Sequence, residues 1–490
     1  MAAKHKRSLR ARTAQRTGIA IGGRVPLRAF TIAIGMVVLV GAVLRIWAAR
    51  GELWLDEIWS FRVVHLLPGP VGILTGLHQD NNHHLNSLYL YFLPETTHWI
   101  LYRLHSIVAG VGSIVLAATI ARQAGRTAAL AAAVMTASSF FLVLYSSEAR
   151  GYSLAIFFAL LCVVLAERDF KEPRRTRGLA FAAAATLGIC SHTTFLHAYA
   201  GLGLWTAVRA LRTGGMRQGL TDLARFHALP LVAFSGLYAI DLQFIVKGGG
   251  PLTTIPEVMA SALSVAFGGP AGGVGRTSLA LGAALAGFVS LRTIKRAGSD
   301  LWILFAVAIF GSPIAMVMLA DTSLLFERYF VVALTFLLLA CSWTIAAISS
   351  RSIVAAAVLV TLYAGANARL IQPLLELGRG RYLEALADVA ATSTRSVPTL
   401  GSDHDFRQGR VVGFHLLHMK DGDRVSYQPR ETWAGTRPEW ILVHSQDPGF
   451  TPKPRLMVEG QWPFVFTKLY PASRLSGWTL ALYHNEADVR

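Results

Sequence analysis

Two adjacent carboxylates stand between tryptophans in Leu53-Trp54-Leu55-Asp56-Glu57-Ile58-Trp59-Ser60, directly after the first long apolar run. A carboxylate at the rim of an apolar phase is a competent general base, and it is costly there unless solvated or paired. The same residues also allow a structural reading. Asp56 would cap a short interfacial helix, and Trp54 and Trp59 would join the aromatic belt at a membrane surface. Farther on, His78-Gln79-Asp80-Asn81-Asn82-His83-His84-Leu85-Asn86 places three histidines and an aspartate within seven positions. That set suits a divalent metal or the polar wall of an active site, and its spacing matches no specific ligand motif. Three further short segments are polar: Tyr145-Ser146-Ser147-Glu148-Ala149-Arg150-Gly151-Tyr152, Ser191-His192-Thr193-Thr194-Phe195-Leu196-His197 and Phe326-Glu327-Arg328-Tyr329. The guanidinium forks of Arg150 and Arg328 suit phosphate. Each arginine also has an acidic neighbour, Glu148 or Glu327, that could pair with it and orient it.

The elements that must position these residues are membrane helices. Of 490 residues, 53% are hydrophobic and only 15% charged, with a mean hydropathy of +0.46; a soluble domain carries about 25% charged residues. The apolar residues come in blocks such as Phe30–Val43 and Tyr329–Ala347. Runs of about 17–25 apolar residues are what a helix needs to cross the hydrocarbon core, where the backbone must satisfy itself. We read about eleven spans, near 29–49, 100–121, 127–144, 152–166, 178–195, 198–211, 228–246, 277–293, 300–320, 329–348 and 352–371. The run after the basic N-terminus is too long for a signal-peptide core, so an uncleaved first span is expected. The net charge of +18 lies in short clusters between apolar blocks, as in cytoplasmic anchoring, and so argues against nucleic acid. Cys162, Cys190 and Cys341 sit in or beside apolar blocks and read as small buried hydrophobes.

Charge sets the topology. With the N-terminus inside, the clusters at Arg122 and Arg126, Arg168–Arg177, Arg209–Arg225 and Arg292–Arg296 all fall on the cytoplasmic side. Residues 1–28 then form a basic cytoplasmic segment, 29–371 a transmembrane domain with a long external loop at 50–99, and 372–490 an external soluble domain. In that last region Arg410–Leu417, Glu439–Ser445 and Trp478–His484 read as strands and Leu383–Ala391 as a linking helix, giving a small α/β or β-rich fold. Every polar segment described above lies outside.

At this point the chain resembles the family-39 type of membrane glycosyltransferases, whose GT-C fold is shared by protein O-mannosyltransferases and aminoarabinose transferases. Leu55-Asp56-Glu57 with Ser60 carries part of the likeness. Tyr145–Tyr152 is similar to the family's YSQEARxY segment. His192–Phe195, Arg328–Tyr329 and an external domain with Pro438-Glu439-Trp440-Ile441-Leu442-Val443 follow in the family's order. The resemblance implies a polyprenyl-phosphate sugar donor and inverting transfer at the outer face of the cytoplasmic membrane. It implies Asp56 as the base that deprotonates the acceptor, with Glu57 and Glu148 as further acidic site residues. Arg150 and Arg328 would meet the donor phosphate, and Tyr145, Asn82, His83, His84, His192 and Tyr329 would complete the substrate site. One departure stands out: many relatives read His-Pro-Pro-Leu where this chain has Asn82-His83-His84-Leu85-Asn86, so the histidine in the family position is ambiguous. The acceptor is left open among lipid, protein and polysaccharide, and a divalent metal is possible. A transporter or flippase of lipid-linked sugars would also carry polar residues in its membrane domain. Against it, the polar loops crowd one face and no pair of matched broken helices is visible.

Overall fold

The structure, a computed structural model, describes residues 26–246, 248–249, 253–319, 324–420, 424–433, 437–447, 449–458, 462–473 and 475–488. The basic segment through residue 25 lies outside the described residues. The helices used below are, in chain order, α1 Leu27–Ala48, α2 Leu55–His65, α3 His84–Phe92, α4 Trp99–Ala121, α5 Arg126–Ser138, α6 Phe140–Ser146, α7 Tyr152–Lys171, α8 Arg175–Ser191, α9 Phe195–Ile240 and α10 Ile255–Ala266. They continue with α11 Gly273–Arg296, α12 Leu301–Leu319, α13 Val331–Ser349, α14 Ile353–Leu377, α15 Tyr382–Thr392 and α16 Arg410–Leu416. Contacts divide the chain into two compact units. The first takes in Met1–Arg45, Leu74–Asn86 and His105–Arg369; the second Ile46–Ile73, Ser87–Leu104 and Leu370–Arg490.

A helix underlies each of the eleven stretches read as spans. Among the described residues seven helices are long and apolar enough to cross a membrane by themselves, or eight if one bent pair counts as a span. The chain is therefore a multi-pass membrane protein. The stretches at 152–166, 178–195 and 198–211 fall short of that test. α7 ends on Glu167, Arg168, Asp169 and Lys171, α8 has 17 residues, and α9 breaks at Gly215, which adopts φ +72°. A left-handed backbone there is a natural place for glycine, and it splits one long helix into two. In the first unit α13 is apolar all round and almost wholly buried, whereas α1 and α11 expose Ile32, Met36, Leu39, Leu281 and Leu285. A helix apolar on every side belongs at the centre, and one with bare leucines faces lipid.

The bent pair is α5 and α6, which meet at Ser139 with a bend of 59°. Breaking a helix strands carbonyls and N–H groups that water cannot reach. Here buried side chains satisfy them. Arg45 donates to the carbonyls of Thr136 (3.1 Å) and Ala137 (3.2 Å), and Tyr363 donates to that of Met135 (3.2 Å). The Asn367 side-chain oxygen accepts from Phe140 N (2.8 Å) at the start of α6. The bend is thus fixed by α1 and α14, and it aims α6 into the Tyr145–Tyr152 segment.

The C-terminal part of the second unit is built on a six-stranded sheet of order β2-β1-β3-β6-β5-β4, where β1 is Thr399–Ser402, β2 Ser426–Tyr427, β3 Trp440–Ser445, β4 Arg455–Val458, β5 Trp462–Tyr470 and β6 Thr479–Asn485. Two of the three expected strands are present as β3 and β6, and the expected linking helix is α15. The third, Arg410–Leu417, is helical instead. β1 and β2 run parallel, which demands a crossover, and α16 lies in it. Val411, Val412, Phe414 and His415 are its buried residues; a seven-residue run rich in valine carries no periodicity strong enough to reveal this. Trp433, Ile441, Trp462, Phe464 and Tyr483 form the core over the sheet. Glu52 holds the start of α15 by accepting from Tyr382 N (2.6 Å) and Leu383 N (3.1 Å).

Candidate active site

In the first unit, every residue from Tyr145 to Tyr152 is buried, including Glu148 and Arg150, each 3% exposed. Charged groups are kept in such a place only with partners. Arg150 donates from Nη2 to the Asn81 side-chain oxygen (2.8 Å) and lies over the Tyr152 ring, its Cζ 5.1 Å from the centroid. Its carbonyl accepts from the Ser106 hydroxyl (3.0 Å). Gly151 N donates to Nδ1 of His83 (3.1 Å), so the proton of a neutral His83 sits on Nε2. That nitrogen is buried and has no hydrogen-bond partner among the described residues. His192 repeats the arrangement, its Nδ1 accepting from Thr194 N (3.0 Å). The His83 and His192 ring centroids are 4.5 Å apart, and Tyr152 packs 4.1 Å from His192. Tyr145 in turn lies 5.0 Å from Tyr152. Burial, followed by the charges of His192, Arg150, His84 and Arg328, holds the His83 imidazole well below its ordinary range. His83 is therefore a neutral N–H donor near neutral pH.

Close approach makes this arrangement fragile at one backbone position. A Cβ on Gly151 would overlap the carbonyl oxygen and carbon of Ser191 and touch His83. Gly151→Ala must therefore push the α8 terminus away from His83. We expect it to remove measurable ligand binding in this unit while the purified protein still inserts in membranes; binding at the wild-type level would refute the close approach.

His84 begins α3 and points its Nε2 at Asp241 Oδ2 (2.5 Å), while His78 Nδ1 meets Oδ1 of the same carboxylate (2.6 Å). Asp241 is fully buried. Asp80 accepts from Gly248 N (3.0 Å). Among the described residues no group of three or more His, Cys, Asp or Glu side chains is arranged to hold a metal ion; His78 and His84 share a carboxylate instead. Arg328 lies on a 3-10 turn, Glu327–Phe330, with its Cζ 4.0 Å above the Phe326 ring and 5.7 Å from the Tyr329 ring centroid.

Several of these groups line a cavity of about 530 Å³. Asp80, Asn82, His83, His84, His192, His197 and Tyr329 form most of its polar wall, with Thr193, Thr194 and Ser312; the rest is apolar, including Ile189, Leu196, Leu242, Ile245 and Met316. The volume is that of a small-molecule site. A few N–H donors in a largely apolar chamber suit a ligand with an anionic head and a hydrocarbon body. Of the residues expected in a substrate site, Asn82, His83, His84, His192 and Tyr329 line this cavity, and the charges of Arg150 and Arg328 are felt at His83. Asp241 and His197 were not among the expected residues. Asp241 stands inside a stretch read as a span, and an acid in an apolar span is the signal that finds it.

In the second unit, α2 begins at Leu55 with Trp54 as its N-cap. Glu57 rather than Asp56 serves the helix start, accepting from Trp54 N (3.2 Å). Glu57 is 1% exposed and takes Arg103 on both oxygens, Nε to Oε1 at 2.7 Å and Nη2 to Oε2 at 2.5 Å. Arg103 also donates to the carbonyls of Ala49 (2.9 Å), Gly51 (2.6 Å) and Glu52 (2.9 Å). The acidic pair is thus split by the helix. Glu57 turns inward to the arginine, and Asp56, at the second helical position, stays half-exposed. Trp54 packs on Trp478 at 5.6 Å.

No protein-family model matches the chain, and no curated protein matches it in sequence. Solved structures do. The chain aligns with ArnT from Cupriavidus metallidurans in its apo state at 12% identity, covering 92% of this chain and 98% of that one, with a TM-score of 0.50. It also aligns with the oligosaccharyltransferase of Archaeoglobus fulgidus at 12% identity, over 84% of this chain and 67% of that one, with a TM-score of 0.47. A third match is ArnT bound to undecaprenyl phosphate, at 12% identity over 92% and 97% of the two chains, with a TM-score of 0.36. The likeness to apo ArnT shows that the chain has the GT-C fold.

Proposed function

We propose that this protein is a membrane glycosyltransferase that moves a sugar from a polyprenyl phosphate to an acceptor at the outer face of the cytoplasmic membrane. The observation that carries the reading is the cavity of the first unit, whose neutral imidazole donors lie under the charges of Arg150 and Arg328 beside an apolar chamber. Preorganised donors of this kind stabilise a departing anion without reorganisation. A phosphate there would take His83 Nε2–H, with Arg150 held ready by Asn81 and Tyr152, and an isoprenoid would lie along the apolar wall. His84, oriented by Asp241, and His192, oriented by Thr194 N, belong to the polar wall, with Asn82 and Tyr329. Tyr145 supports Tyr152, and Glu148 is assigned to the site on the resemblance of its segment to the family motif.

Asp56 is assigned as general base, on the motif Leu55–Ser60 and on its half-exposed place at the start of α2. It takes the acceptor proton as the acceptor oxygen attacks the anomeric carbon. The bond to the lipid phosphate breaks from the opposite side, so the configuration inverts. Glu57 acts through position only, since both its oxygens are engaged by Arg103. The external placement of 50–99 and of the C-terminal domain is assigned on the charge distribution.

The test uses purified full-length protein with radiolabelled polyprenyl-phosphate sugars and a cell-envelope extract as the source of acceptor. Wild type is expected to consume the donor. Arg150→Gln, which leaves a hydrogen-bonding amide but no charge, is expected to weaken donor binding by about 10–100-fold, the worth of one charge-assisted phosphate contact. Donor bound as tightly as in wild type would overturn the phosphate assignment. Donor translocated across a bilayer and recovered intact would overturn transfer in favour of transport.

A further inference from the structure

A second cationic site lies in the second unit, on the half-exposed face of α2. Asp56, Trp59, Arg62 and Val63 fall on that face, at helical spacing, while Glu57, Ile58, Ser60, Phe61 and Val64 are buried. The guanidinium of Arg410, the first residue of α16, stacks on Trp59 with its Cζ 3.7 Å from the ring centroid. It also lies 4.6 Å from the ring of Phe406. Trp59 and Phe406 themselves are 5.7 Å apart, and Phe406 is 57% exposed. Arg62 sits with its Cζ 5.6 Å from Phe414. Among the described residues, neither Arg62 nor Arg410 forms an ion pair or a side-chain hydrogen bond. They are close enough to repel: burial, and after it the charge of Arg62, lowers the Arg410 guanidinium.

Stacking on aromatic faces fixes a guanidinium plane and leaves its N–H edge free to bind. Two such forks, mutually repelling and without a carboxylate, gain from an anion placed between them. The exposed Phe406 ring beside them offers an apolar surface, the face a sugar ring presents through its C–H groups. Along the helix, Asp56 precedes Arg62 by six residues, a rise of about 9 Å.

We infer that Arg62, Arg410, Trp59 and Phe406 form a binding site for an acidic saccharide, a sugar carrying a carboxylate or phosphate. Its naming as the acceptor rests on the transfer reaction proposed above; the binding itself does not. The acid docks on the two guanidinium edges, the ring lies on Phe406, and a hydroxyl one sugar away comes within reach of Asp56. The acceptor is in this way selected by charge before any bond is made.

Equilibrium binding tests the site, with full-length protein in phosphatidylcholine nanodiscs and an Arg150→Gln background that weakens the other cationic site. The probes are glucuronate, glucose 6-phosphate and glucose. Both acids are expected to bind at least ten-fold more tightly than glucose. Arg62→Gln and Arg410→Gln are each expected to weaken the acids by at least ten-fold, and Phe406→Ala to weaken glucose 6-phosphate while sparing inorganic phosphate. Arg410→Lys, which keeps the charge and most of the stem, should fall between wild type and Arg410→Gln, and it reads the same contact if Arg410→Gln fails to fold. Equal binding of glucose and the acids, or unchanged binding in the arginine variants, would overturn the site. So would an arginine effect seen only as altered insertion in nanodiscs containing phosphatidylglycerol, which would make this face a contact with lipid headgroups. Donor consumption is followed separately. If the acids bind as described and no donor is consumed, transfer fails and the saccharide site stands; if donor is consumed and the arginines do not matter, the site alone fails.

Discussion

Asp56→Asn is expected to reduce sugar transfer by about 10²–10⁴-fold, the range that a positioned general base contributes, with donor binding unchanged. The amide has the size of the carboxylate and lacks its basicity, so the acceptor hydroxyl would attack with its proton still in place. Asp56 occupies the first turn of α2, where a negative charge faces the positive end of the helix dipole. Losing that charge costs about 0.3–1 kcal/mol at an exposed site, too little to unfold the protein. Transfer and stability should therefore separate. Single-turnover measurements with labelled donor, beside a thermal unfolding curve, read both quantities. Turnover within about three-fold of wild type, against the 10²–10⁴-fold worth of a base, would remove Asp56 from the chemistry and leave Glu148 as the acid to examine next.

The largest expected effect on stability is at Arg103. Arg103→Met takes the guanidinium from both oxygens of the buried Glu57 carboxylate, and removes donors from three carbonyls between Ala49 and Glu52. Breaking a buried ion pair from one side costs about 3–5 kcal/mol, because the remaining charge stays desolvated. Replacing both partners is far milder, so the double variant Glu57→Leu with Arg103→Met should recover part of the loss. Thermal unfolding of the full-length protein in one detergent checks the pair. If Arg103→Met unfolds as wild type does, or the double variant is no more stable than the single, the ion pair is not what holds the start of α2. In the proposed enzyme the same loss would reach Asp56, which is carried on that first turn.

Much of this architecture is legible in the order of residue types. Long apolar blocks dictate helices in hydrocarbon, and each of the eleven blocks is helical, although one is a bent pair and three fall short of a span by themselves. The polar segments stand out for the opposite reason, since Glu148, Arg150, His83 and His192 are too costly beside membrane spans without a purpose. Five expected residues, Asn82, His83, His84, His192 and Tyr329, do line one cavity. Less legible were the partners supplied from far along the chain. Arg45, Arg103 and Asp241 all sit inside apolar stretches, where a lone charge invites the question of what it meets. The answers lie 91 residues away for Arg45 and Thr136, 46 for Arg103 and Glu57, and 157 for His84 and Asp241.

The acidic pair Asp56–Glu57 shows where the two levels divide. Composition and periodicity by themselves determined a multi-pass helical protein with acid, imidazole and guanidinium groups gathered in the segments between helices. They placed two carboxylates side by side directly after the first apolar run, with the start of a short helix as one of two readings. Which of the two faces inward was decided only by the fold, because a helix turns successive residues about 100° apart and a buried carboxylate needs a cation from elsewhere. Arg103 of α4 settles that for Glu57. The helical state of Arg410–Leu416 was decided in the same way, by a parallel strand pair that requires a crossover. Local sequence dictates what a segment can be; long-range contacts select which of its side chains are left to meet a ligand.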